Sequence, residues 1–172
     1  MGYAPERFPV GQPFTVRAYL RHLAAIRRVP VDAAFAWLQR LEGDHLLDVR
    51  LPELSKGSAQ KVGLTQAVMA SPGLLVLDEP FAGLDAATRD ALPAVISELA
   101  SGGTIVVVSD HQRRIESLPG IDRLHVAGGT VSCRRSQAGP WTLLEVEVPE
   151  DEADTVATKL RADGYRVRRP EG

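Results

Sequence analysis

Lysine is scarce in this chain: only Lys56, Lys61 and Lys159 occur, and the remaining basic charge is arginine. No Gly-Lys dipeptide exists among the 172 residues, which excludes from them the phosphate-cradling loop GxxxxGK[ST]. Cysteine is nearly absent, and the single Cys133 rules out an internal disulfide and fits a reducing compartment. No apolar run approaches the roughly 20 residues that cross a bilayer as a helix. The opening MGYAPERFPVG lacks the basic-then-apolar order of a secretory leader, so none is expected. A large excess of charge is missing too. The net charge of −2 and pI of about 6.1 give no electrostatic reason to expect nucleic acid or an anionic membrane surface as a partner.

What is present suffices for a core: 44% of residues are hydrophobic and 24% charged. Pro5, Pro9, Gly11 and Pro13 mark residues 1–13 as a loop. Thr15 predicts the cap of a helix with Val16, Tyr19, Leu20, Leu23 and Ile26 at spacings of three and four, ended by Pro30. A second helix is expected over 31–41, irregular chain over 44–54, and a third helix over 57–69. Leu74–Leu77 is apolar on both faces, as a buried parallel strand is, and Thr104–Ser109 predicts a second buried strand. A helix over 86–100 joins them into a strand–helix–strand crossover, although Pro93 in its interior should kink it at about 3 kcal/mol. Further on come a short helix over 112–118 and a hairpin of 124–127 with 130–133 around Gly128-Gly129. The remainder reads as a linker at 135–140 and a small βαβ tail at 141–172, with strands over 143–148 and 165–169 and a helix over 151–162.

Four short motifs follow one another. Leu54-Ser55-Lys56-Gly57-Ser58 opens a helix, whose first backbone N–H groups suit a phosphate; Ser55 adds a hydroxyl and Gly57 permits close approach. Taken alone, this is more often an ordinary capped helix. Asp78 and Glu79 end a parallel strand, where such sheets bind ligands. Asp78 there can hold Mg²⁺, and Glu79 can polarise an attacking water, against the blander alternative of a polar turn leaving the core. Gly83-Leu84-Asp85 is a turn with Asp85 as helix cap, and Ser109-Asp110-His111 closes the next strand, placing His111 within reach of a γ-phosphate. His22, His45 and His125 have no such setting.

Together these motifs resemble the ATP-binding cassette (ABC) family over about residues 2–133. LSKGS is similar to its signature motif, LLVLDEP to its Walker B strand, GLD to its D-loop and SDH to its switch-histidine loop. GYAPERF resembles the Q-loop region, with Glu6 where a glutamine is expected, and Ser58 replaces the final signature glutamine. The resemblance implies an α/β fold: a partial RecA-like parallel-sheet nucleotide-binding domain over 1–134 with a helical subdomain over about 14–71. It also implies ATP and Mg²⁺ as cofactors, with Glu79 and His111 catalytic, Asp78 on the metal, and Ser55, Gly57 and Ser58 on ATP across a dimer. Asp85 falls in the D-loop and Glu6 at the Q-loop position. The implied partners are a second ABC ATPase subunit and a transmembrane permease, met by residues 8–43. The implied location is cytoplasmic, at the inner face of the cell membrane.

The missing GxxxxGK[ST] leaves two expectations. The preferred one is a fragment of a complete ATPase whose phosphate loop precedes Gly2. The other is a short subunit that lends its signature motif to a complete ATPase. A non-enzymatic, cassette-shaped regulatory or structural protein is the rival from another class.

Overall fold

A computed structural model of the chain describes residues 1–112, 114, 115, 118, 120–134 and 152–162. It divides into two compact units, Met1–Ser136 and Gln137–Gly172. In the first unit, a three-stranded parallel sheet in the order β1-β2-β3 is formed by β1 (Gly2–Ala4), β2 (Leu74–Asp78) and β3 (Ile105–Ser109). The register sets Gly2 beside Leu75 and Asp78 beside Ser109.

Residues 1–13 are therefore not loop throughout. The breakers in that stretch masked a three-residue strand, held because Gly2 lets β1 lie directly on a helix: a Cβ there would sit 2.0 Å from the Ala67 carbonyl oxygen. A second correction concerns β3. Its residues alternate between exposed and half-buried, with Ile105 and Val107 at 66% and 42% exposure, so it is not a buried strand.

The helical part comprises α1 (Val16–Arg27) and α2 (Val31–Arg40). Thr15 caps α1 by accepting a bond from the Ala18 N–H, as its position predicts. The turn ending α1 comes earlier than Pro30: Arg28 adopts a left-handed conformation at φ 56, and Pro30 instead opens α2. Residues 44–54 are more ordered than expected. Two 3-10 turns, Asp44–Leu46 and Leu51–Glu53, fold this stretch back along the start of α1, where Leu51 N–H reaches the Phe14 carbonyl and Val16 N–H that of Val49.

The next helix, α3 (Lys56–Val68), separates two cores. Toward the sheet, Leu64, Ala67 and Val68 pack with Leu75, Leu77 and Phe81. Toward the helical part, Ala59 and Val62 pack with Leu20, Leu38 and Leu51. Because α3 meets apolar neighbours on both sides, it has no polar face. α4 (Ala86–Ser101) then covers the sheet through Leu92, Val95 and Ile96, and it runs through Pro93 without a break.

Beyond β3, residues 111, 112, 114, 115 and 118 lie in turns and bends, so the expected helix over 112–118 does not form at those positions; 113, 116 and 117 lie outside the described residues. The hairpin does form, from β4 (Arg123–Ala127) and β5 (Thr130–Arg134). In the second unit the described element is α5 (Ala153–Ala162). The expected tail strands at 143–148 and 165–169 and the linker at 135–140 lie outside the described residues.

Candidate functional site

The C-terminal ends of β2 and β3 bring four polar residues together. Asp78 and Ser109 are register partners, and the Ser109 hydroxyl donates to Asp78 Oδ1 at 2.7 Å. The same hydroxyl accepts from the Glu79 N–H at 2.9 Å, and that N–H also faces the Ser109 carbonyl at 3.2 Å. Glu79 has φ 46, a left-handed conformation that non-glycine residues adopt at a cost of about 1–3 kcal/mol. The turn this creates directs the side chain, only 18% exposed, toward the next strand.

There His111 grips both carboxylate oxygens. Its backbone N–H lies 3.3 Å from Oε1 and its Nδ1 lies 2.6 Å from Oε2. The Glu79 hydrogen bond and charge raise the His111 pKa above its ordinary value, with smaller contributions from Asp110 and Glu6. Asp110 shapes the loop by accepting from the backbone N–H groups of Gln112, Arg114 and Ile115. Ser109 is the member that motif reading passed over without a role. Its place opposite Asp78 follows from strand register, which a single sequence does not display.

The signature residues form a second group. Ser55 caps α3, accepting from the Ser58 N–H at 3.1 Å, and its hydroxyl lies 2.8 Å from that of Ser58. Packing within the chain itself also requires glycine at position 57: a Cβ there would lie 2.3 Å from the Gly83 carbonyl oxygen. The start of α3 thus rests directly on the turn that ends at Asp85. Asp85 caps α4 by accepting from the Thr88 N–H at 2.9 Å. Its other oxygen lies 2.7 Å from Lys61 Nζ. The Lys61 bond foremost, and then the Thr88 N–H, hold the Asp85 carboxyl far below the usual carboxylate range. Glu6 lies 3.9 Å from Lys56 Nζ, beside an open cleft of about 250 Å³ between residues 6–10 and the start of α3.

As a metal site the arrangement is sparse. Among the described residues no group of three or more His, Cys, Asp or Glu side chains could hold an ion. Asp78, with one oxygen held by Ser109, offers a single oriented carboxylate. That donor set fits a Mg²⁺ that arrives on phosphate oxygens and keeps its waters, not a free ion held by protein alone. Among the described residues no helix is long and apolar enough to cross a membrane.

Residues 9–82 match the family model for the ABC transporter family. The chain is 38% identical over 125 residues to the lipoprotein-releasing system ATP-binding protein LolD of Myxococcus xanthus, an alignment covering 69% of this chain and 55% of that protein. It is 34% identical over 116 residues to the uncharacterized ABC transporter ATP-binding protein YhaQ of Bacillus subtilis, covering 65% and 39%. Among solved structures, a dimeric ATP-binding cassette in a post-hydrolysis state bound to ADP and Pi gives a TM-score of 0.67, covering 81% of this chain and 63% of that one. At 18% identity that likeness is one of fold. An ATP-binding subunit of an ABC transporter gives 0.58 at 28% identity, covering 64% and 48%. The chain spans about half the length of the relatives it matches. Motif order, the parallel sheet carrying those motifs and these likenesses agree, and the chain belongs to the family of ABC transporter ATP-binding proteins.

Proposed function

We propose that this chain provides the hydrolytic and signature residues of an ABC-transporter ATPase that closes as a dimer around ATP. The grip of His111 on Glu79 at the end of the sheet carries this reading. Two bonds from one residue fix the plane of the carboxylate, as a group that must orient a water requires. Glu79 takes the proton of the attacking water at a carboxylate oxygen. His111 presents its other ring nitrogen, Nε2, to the γ-phosphate, where charge develops.

Asp78, with Glu6 through water, would hold Mg²⁺, which neutralises phosphate charge when bound. Ser55, Gly57 and Ser58 face the ATP held by the other subunit, and Asp85 ends the turn beside them. Since no GxxxxGK[ST] occurs in these residues, the cradle for the β- and γ-phosphates is supplied from outside them. A permease meets residues 8–43, where Phe14 and Ile26 stand 41% and 63% exposed. That contact places the chain at the inner face of the membrane.

The test has two arms. Calorimetry of the purified chain with ATP and Mg²⁺ is expected to show no micromolar binding. Micromolar affinity abolished by Asp78→Ala would place the phosphate cradle within the chain and overturn that part. Joined in frame to a relative's strand–GxxxxGK[ST]–helix segment, the chain is expected to hydrolyse ATP as a dimer. Glu79→Gln then lowers turnover by about 10²-fold or more while ATP still binds and the dimer persists in size-exclusion chromatography. Parental turnover in that variant would remove Glu79 from its role and favour a cassette-shaped structural protein.

A further inference from the structure

We propose that Lys61 is a positioning residue that fastens the Gly83–Asp85 turn to the signature helix α3, so that the two move as one body. The inference deepens the function proposed above, and it stands on contacts within this chain. Lys61 lies in the second turn of α3 with its side chain only 7% exposed. A lysine at a helix surface extends its ammonium into water. This one points inward to Asp85 Oδ2 at 2.7 Å and to the Glu42 carbonyl at 3.3 Å. Burying an ammonium is costly unless its partners are fixed, and both partners here are. Asp85 is held by its cap on α4 through the Thr88 N–H. Glu42, just past the end of α2, adopts a left-handed conformation at φ 55.

The same turn touches α3 at a second point. Gly83 carbonyl oxygen sits where a Gly57 side chain would be, and the stem of Lys56 lies against Gly83. Two contacts about one helical turn apart on α3 restrain both position and rotation, where a single contact leaves a hinge. The three segments joined at Lys61 come from the end of α2, the signature helix and the start of α4. A displacement at the end of α2 is therefore carried to the turn and to Ser55–Ser58 together.

A passive buried ion pair makes a different forecast: an apolar replacement of similar shape leaves the turn where it is. Hydrogen exchange on the full 172-residue chain separates the two. Lys61→Met is expected to speed exchange of the amides at 83–88 by about ten-fold or more, with α1 amides unchanged, and Lys61→Arg to restore parental rates. Asp85→Asn keeps a good helix cap but loses the charge. It is expected to loosen the same amides, and it serves if Lys61→Met does not fold, because the Asp85 side chain is half exposed.

Carboxyl NMR of Asp85 gives a reading that packing alone would not move. Lys61 from α3 and the Thr88 amide and hydroxyl from α4 face this carboxylate. Its titration should rise toward the ordinary carboxylate range in Lys61→Met and stay low in Lys61→Arg. In the ATP-hydrolysing fusion, Lys61→Met should lower kcat with little change in KM. Absence of turnover in the parent fusion would sink the proposed function and leave the exchange and titration results standing. Parental exchange at 83–88 in both Lys61→Met and Asp85→Asn would overturn the positioning role.

Discussion

Replacing Gly57 with alanine sets two forces of opposite sign against each other. Gly57 lies within the first turn of a thirteen-residue helix, and alanine in a helix is favoured over glycine by about 0.5–1 kcal/mol. Helix propensity alone therefore predicts a more stable protein. The structure predicts the reverse, because the added methyl would lie 2.3 Å from the Gly83 carbonyl oxygen and 3.2 Å from its carbon. An ordinary C···O contact is about 3.3–3.6 Å, so either the turn or the helix start must retreat by about 1 Å. Both sides are backbone, and no side chain can rotate away. Overpacking of this kind costs about 1–3 kcal/mol, leaving a net loss near 1 kcal/mol once the helical gain is subtracted. Urea unfolding followed by far-ultraviolet circular dichroism measures the change, with an unchanged m-value showing that the unfolded state is the same. Gly73→Ala is the control, since nothing lies within 4 Å of its added methyl, and it should stay within about 0.5 kcal/mol of the parent. A Gly57→Ala protein as stable as the parent, or more so, would refute the contact between the helix and the turn.

Acid should reach the Asp85 clamp in a definite order. Its folded pKa is depressed, so its contribution is complete above the ordinary carboxylate value of about 3.9 and is lost as pH falls through the lower folded value. The stability difference between the parent and Asp85→Asn should thus be constant near neutral pH and shrink on acidification below about pH 4; a difference that grows in acid would contradict the assignment. Leu38 has no exposed surface in the helical core, and Leu38→Ala should cost about 2–5 kcal/mol by the same urea measurement. A loss under 1 kcal/mol there would mean that this core is not the one described.

The helices and their caps were legible wherever one face of the pattern met solvent. Thr15, Asp85 and the spacing of Leu20 with its neighbours predicted α1 and the start of α4, because cap chemistry and period are local properties. β1 is not legible from local pattern, since a three-residue strand followed by Pro5, Pro9 and Pro13 owes its existence to a parallel partner about seventy residues away and to Gly2 lying on Ala67. β3 was misjudged for a related reason: an apolar run reports what a strand can tolerate, not what covers it. At the candidate site, Asp78, Glu79 and His111 are singled out by their places at strand ends, and the structure sets Glu79 against His111 and links Asp78 to the Glu79 backbone through Ser109. Ser109 and Lys61 act through side-chain contacts across strand or helix boundaries, which no spacing rule encodes. The motif shows why Gly57 suits a close phosphate, but the contact of its backbone with Gly83 lies between segments that local sequence does not bring together.

The double-sided burial of α3 bears on how such a chain can be taken apart and recombined. A helical subdomain is often imagined as an exchangeable insert, bounded by the points where the chain leaves and re-enters the sheet. Here the wall between the two cores is a single helix that belongs to both. A graft that imports α1 and α2 from a relative while keeping the resident α3 sets foreign knobs against Ala59 and Val62. A graft that brings its own α3 disturbs Leu64, Ala67 and Val68 beneath β1 and β2. Neither seam is neutral, so the unit that can be shuffled intact is larger than the helices that form it and reaches from Phe14 to the first residues of β2.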